Sequence, residues 1–299
     1  DIKPDYVDLI SALGGQIIRI GHGHSGINPL DAGNVEQAAK LLENHPQERS
    51  ALLAAAHERK KTMVLSLIQI IRGSSPSDRE ENVIEAALTV LENTHANPVL
   101  ADLLQVVRDA PEPVRMAALD RGSLERYKQV TEELEASLMA LLNGRLGGIF
   151  ASATTTPMMM DRSVVFDVHD MLHEHSDLQA AVLLASWSYG FATVEISQTL
   201  ADAGVAPRHH YMIVMDELWR ILRASSGMVE RIDSLTRLNR TVGVGQMMLT
   251  HSMADFQALS EEDRLKAQGF VERSKMLFLG GLPGKELDLL RQIMGFSQA

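Results

Sequence analysis

The sequence predicts an α/β protein: a mostly parallel sheet flanked by helices and interrupted by an all-helical insertion. Short apolar runs bounded by Gly, Asp or Ser occur at 16–20, 164–168, 211–215, 244–249 and 275–279. Between the last four lie segments long enough for crossover helices, such as 176–201 and 226–239. Strands alternating with helices imply parallel pairing. Residues 33–145 contain no comparable run, and apolar residues there recur at helical spacing instead.

Taken in order, Gln-Ile-Ile-Arg-Ile at 16–20 is the first strand. Ser77-Asp-Arg-Glu80 has the form of a capping box, opening a helix whose inner face is Val83, Ile84, Ala87, Leu88 and Leu91. Asn97-Pro98 fits an N-cap followed by Pro at the first helical position. Asp109-Ala-Pro-Glu-Pro113 is a loop, and Leu124, Tyr127, Val130, Leu134, Leu138 and Leu141 mark one face of an amphipathic helix. Val-Val-Phe-Asp-Val at 164–168 returns the chain to the sheet. The organisation is therefore 1–32, the start of the α/β domain; 33–145, the helical insertion; and 146–299, the remainder. The chain opens at Asp1, without Met, in what reads as the exit of a strand, so it reads as a fragment.

Composition narrows the class without deciding the function. A chain of 299 residues can bury a substantial core. Its apolar content of 45% and charged content of 22% are those of a soluble globular protein. Aromatics at 4% and 15 Met point to aliphatic, Met-filled cores. The longest apolar runs, 51–56 and 180–187, are far too short to span a bilayer. No basic stretch leads into an apolar one in the manner of a signal peptide. The absence of Cys excludes disulfides and thiolate zinc sites and is compatible with a cytosolic location. A net charge of −11 argues against broad attraction to nucleic acid, although it leaves room for a local basic channel.

The most informative run is Tyr211-Met-Ile-Val-Met215, followed by Asp216-Glu217 and the helix-compatible Leu-Trp-Arg-Ile-Leu222. Consecutive bulky apolar residues read as a strand buried on both faces, which delivers its last residues to the carboxyl edge of a parallel sheet, where ligands bind. In P-loop ATPases this is the Walker B arrangement, with Asp at the Mg²⁺ and Glu at the attacking water. A carboxylate pair can also simply open a helix, where negative charge meets the positive end of the dipole. Downstream, Arg237, Asn239 and Arg240 end an expected helix, and the next strand runs to Thr250-His251. A polar strand end there can contact phosphate, and an Arg just before the strand can serve a neighbouring subunit; cations at a helix end are also ordinary. His169, His173 and His175 have spacing open to zinc, yet they follow a strand end and read as solvated surface.

At these residues the sequence resembles the TraC-like ATPases of conjugation and type IV secretion, in the HerA–FtsK branch of RecA-like P-loop motors. The resemblance runs through Asp1-Ile-Lys-Pro-Asp-Tyr6, Gly14-Gly15, Ile17-Ile-Arg-Ile20, Asn28-Pro-Leu-Asp31, Val164-Val-Phe-Asp-Val168, Asp216-Glu-Leu-Trp-Arg220, and Arg240 through His251. It implies a RecA-like motor using ATP and Mg²⁺. Asp216 would position Mg²⁺, Glu217 would activate water, Arg240 would act across a subunit interface, and His251 would sense phosphate. It further implies a homo-oligomer, a hexamer in the intact protein, working with other type IV secretion components at the cytoplasmic, inner face of the cell membrane. A DNA-pumping translocase of the same branch and a non-enzymatic assembly module are the alternatives, and DNA is not indicated by the charge.

The sequence departs from the family in three places. No Walker A loop is present, and Gly280-Gly-Leu-Pro-Gly-Lys-Glu286 has the wrong glycine spacing and Glu in place of Ser or Thr. His251 stands where the family usually has Gln, and Asp5 where it has Glu. On its own the chain is therefore expected to bind nucleotide weakly and to be inactive.

Overall fold

The computed structural model describes residues 3–21, 23–171, 174–224, 229, 232, 244–250, 259–272, 274–281 and 283–294. Helix α1 (Val7–Ala12) leads through Gly14 and Gly15 into strand β1 (Gln16–Arg19). A Cβ at Gly15 would lie 2.5 Å from the Ser163 carbonyl oxygen, so this close approach requires glycine. The approach brings β1 beside β2 (Val164–Asp167) in parallel, with Gln16 opposite Val164 and Arg19 opposite Asp167.

Between β1 and β2 lie helices α2 (Val35–Leu41), α3 (Pro46–Arg72), α4 (Asp78–Thr94), α5 (Leu100–Asp109), α6 (Glu112–Ala117), α7 (Leu124–Asn143) and the short α8 (Gly147–Phe150). Residues 33–145 contain no strand. The capping box of α4 forms as its residues suggest: the Glu80 N–H donates to Ser77 Oγ at 3.4 Å, and the Ser77 N–H donates to Glu80 Oε2 at 2.8 Å. Arg72 at the end of α3 then grips both oxygens of Glu80, at 3.0 and 2.7 Å.

Two local expectations shift. Helix α5 begins at Leu100, not at Pro98, because the Asp102 carboxylate accepts the Val99 N–H at 2.9 Å. The Pro98 carbonyl is used elsewhere, accepting from buried Asn28 Nδ2 at 2.8 Å. Along α7, Tyr127, Leu134, Leu138 and Leu141 are buried and Val130 is half-buried, but Leu124 at the first turn projects into solvent.

After β2 come α9 (Ser176–Asp202), β3 (Met212–Met215), α10 (Leu218–Leu222), β4 (Gly245–Met248) and two further helices, Glu261–Glu272 and Gly284–Met294. Strand β3 pairs in parallel with β4, Met215 opposite Met248. Among the described residues the strands form two separate two-stranded ladders, β1-β2 and β3-β4, in place of the single sheet expected. The run 275–279 forms no strand: Met276 is 69% and Phe278 78% exposed. Apolar character favours burial, but a strand also needs a ladder partner, which sequence does not specify. Nor is β3 buried on both faces, since only Met215 is fully enclosed and Met212 and Val214 are exposed. The expected helix over 226–239 falls mostly outside the described residues.

One continuous core joins the helical region to the strands. It includes Ile18 and Ile20, Val64, Leu67 and Ile68 of α3, Ile84 and Leu88 of α4, Leu134 and Leu138 of α7, and Leu184 of α9. Helix α9 is apolar around most of its circumference, as a helix enclosed on all sides must be. It supplies Leu183, Phe191 and Val194 to the floor of a cleft walled by β2 and β3. Among the described residues, no helix is long and apolar enough to cross a membrane.

Candidate functional site

The carboxyl ends of β3 and β4 are tied together. The Leu249 N–H donates to the Met215 carbonyl at 3.0 Å, and the Leu218 N–H to the Leu249 carbonyl at 3.4 Å. Between these bonds sit Asp216 and Glu217. Glu217 has φ 55° and ψ 35°, the left-handed region that costs a non-glycine residue about 1–2 kcal/mol. Its N–H is satisfied locally by Asp216 Oδ1 at 3.0 Å. This turn sends the two carboxylates in different directions.

Asp216 is half-buried and lines the cleft, which has a volume of about 540 Å³, together with Tyr6, Val164, Phe166 and Tyr211. The Tyr6 hydroxyl has its pKa raised, first by burial and then by the negative charges of Asp216 and Asp5. The Asp5-Tyr6 turn and the Asp216-Glu217 turn are thus brought to one place, although they lie at distant points in the chain.

Glu217 is 1% exposed. Lys3 Nζ lies 3.4 Å from its Oε1, and Arg220 Nε lies 3.3 Å from its Oε2. Arg220 also donates through Nη1 to Gln179 Oε1 of α9. Gln179 is 4% exposed and donates in turn to the Glu174 carbonyl at 2.9 Å. The Arg220 guanidinium stacks on the Trp219 ring at 4.8 Å, with that of Arg223 at 5.5 Å. The sequence alone assigns no role to Lys3, Gln179 or Arg220. Arg220 carried a local signal, a cation one helical turn after Glu217. Gln179 carried none, because its contact with Arg220 is made only by tertiary folding.

The described residues contain no group of three or more His, Cys, Asp or Glu able to hold a metal ion. A Mg-nucleotide does not need such a group, since Mg²⁺ commonly takes one or two carboxylates and completes its shell with phosphate and water. Asp216, at the cleft, is a suitable single carboxylate. Glu217 is held by two cations, Lys3 and Arg220. Gly284-Lys285-Glu286 opens the helix Gly284–Met294, putting Glu286 in the first turn. A negative charge there disfavours phosphate at that helix start. Arg237, Asn239, Arg240 and His251 lie outside the described residues, as does His173.

No family model and no curated protein matches the chain. Its structure is similar to the solved structure of VirB4 of Thermoanaerobacter pseudethanolicus, with a TM-score of 0.70 over 100% of this chain and 73% of that one, at 17% identity. The chain therefore shares the fold of that VirB4 protein.

Proposed function

We propose that this chain is the motor part of an ATPase powering type IV secretion or conjugative transfer. The observation that carries the reading is the Asp216-Glu217 turn at the carboxyl end of a parallel strand within a VirB4-like fold. The resemblance in residues 28–31 and 216–220 supports it independently of the structure. In this reading 1–32 and 146–299 make up a RecA-like domain, and 33–145 are its helical insertion.

Asp216, facing the cleft, holds the Mg²⁺ of a bound Mg-ATP. The metal ion supplies neutralisation of phosphate charge when bound. A carboxylate oxygen of Glu217 orients the attacking water and accepts its proton. Arg240 reaches a neighbouring subunit of a homo-oligomer, a hexamer, and His251 contacts phosphate. The protein works at the inner face of the cell membrane with other secretion components, coupling hydrolysis to substrate translocation or pilus assembly.

The test is phosphate release by the full-length protein, with Arg240→Ala and Glu217→Gln assayed alone and mixed. Each variant should be inactive by itself, and the mixture should recover activity because each supplies what its neighbour lacks. Absent recovery in verified mixed oligomers would remove the role of Arg240 in trans. Strong stimulation by DNA would move the reading to a DNA-pumping translocase. The chain of 299 residues, which has no Walker A lysine or phosphate cradle, should bind Mg-ATP weakly in calorimetry. Micromolar affinity would mean that the phosphate site has another source.

A further inference from the structure

We propose that Arg220 is the positioning residue for Glu217 and that Gln179 of α9 fixes Arg220 in place; this rests on the reading of Glu217 as the group that handles water. Glu217 sits in a left-handed turn ahead of a short helix, so regular helical geometry does not set the direction of its carboxylate. Its partners set that direction. Arg220 is held on several sides: by Glu217 Oε2 at Nε, by Gln179 Oε1 at Nη1, and by the Trp219 ring against its face. Gln179 is itself enclosed and anchored to the Glu174 carbonyl. Lys3 differs, with a side chain 47% exposed and a contact of 3.4 Å. A half-exposed, flexible ammonium adds charge without fixing geometry, whereas the planar Arg220 guanidinium, tied at Nη1 to Gln179 and set against Trp219, meets Glu217 from a fixed position. Arg220 thereby fixes the plane and direction of the Glu217 carboxylate through Oε2.

The experiment has two stages in the full-length protein. Glu217→Gln comes first: loss of hydrolysis with nucleotide binding retained secures the reading, while full activity would remove both that reading and this inference. Given that loss, Arg220→Lys and Gln179→Leu should each lower kcat about tenfold and leave KM for ATP within about twofold. Neither should lower the residual rate of Glu217→Gln any further, because residues acting through one group are not additive. Wild-type kcat in both variants, or losses that multiply with Glu217→Gln, would overturn the proposal. A readout without nucleotide is also available. The 299-residue chain has two Trp, and Trp187→Phe isolates Trp219. Acrylamide quenching of Trp219 should rise in Gln179→Leu as Arg220 loses its anchor; unchanged quenching in folded protein would contradict the anchoring.

Discussion

Arg59 of α3 and Glu195 of α9 form an ion pair 2.6 Å long at the joint between the helical region and the helix that floors the cleft. Arg59 is 6% exposed, and its Nη1 is buried without a hydrogen-bond partner among the described residues. Glu195 is therefore the counter-charge for an enclosed cation. Removing one member of such a pair costs more than replacing both, because it strands the other in low dielectric.

Glu195→Ala should destabilise the chain by about 2–4 kcal/mol, a value reduced for the partial exposure of Glu195. The double replacement Arg59→Met with Glu195→Leu should cost clearly less. Urea unfolding midpoints at unchanged m-value check both. Equal stability of Glu195→Ala and the parent would show that the pair contributes nothing.

His57 supplies a pH-dependent clip between α3 and α4. Its Nδ1 lies 2.7 Å from Glu92 and its Nε2 2.9 Å from Glu85, while Lys60 and Lys61 reach the same two carboxylates. Burial alone would lower the His57 pKa, but the hydrogen bonds and charges of Glu92 and Glu85 outweigh it, and the pKa is raised above 6.5. The native state therefore holds this proton more tightly than the unfolded chain does. The resulting stabilisation is complete below the unfolded value and is lost as pH rises through the raised native one. His57→Gln should lower the melting temperature at about pH 6 and change it little at about pH 9. A loss independent of pH would contradict the protonated clip.

Asn28 holds the 28–31 turn from both ends of its amide. Nδ2 donates to the Pro98 carbonyl, and Oδ1 accepts the Leu30 N–H at 3.0 Å. Asn28→Ala leaves both backbone partners buried and unmatched, and should cost about 2–3 kcal/mol in thermal or urea unfolding. A change under about 0.5 kcal/mol would show that water replaces the amide.

What was legible in the sequence was mostly local. The capping box of Ser77 and Glu80, the apolar face of α4 and the span of α9 follow from neighbouring residues, and the structure contains each. The start of α5 is displaced from Asn97-Pro98 because the Asp102 carboxylate caps the Val99 N–H, while Asn28, far away in sequence, takes up the Pro98 carbonyl. The run 275–279 has strand-like composition, yet Phe278 stands in solvent, since composition does not name a ladder partner. At the candidate site, Asp216 and Glu217 were legible as a pair. Their divergence was not, because it depends on a left-handed backbone at Glu217 and on cations brought from Lys3 and Arg220.

The most direct test of the account is steady-state phosphate release by the full-length protein carrying Glu217→Gln, with ATP binding measured on the same sample. The substitution keeps size and hydrogen bonding and removes the negative charge. The account predicts a fall of ~10²-fold or more with binding retained, the size of effect expected for loss of a general base. Phosphate release at the wild-type rate would contradict it.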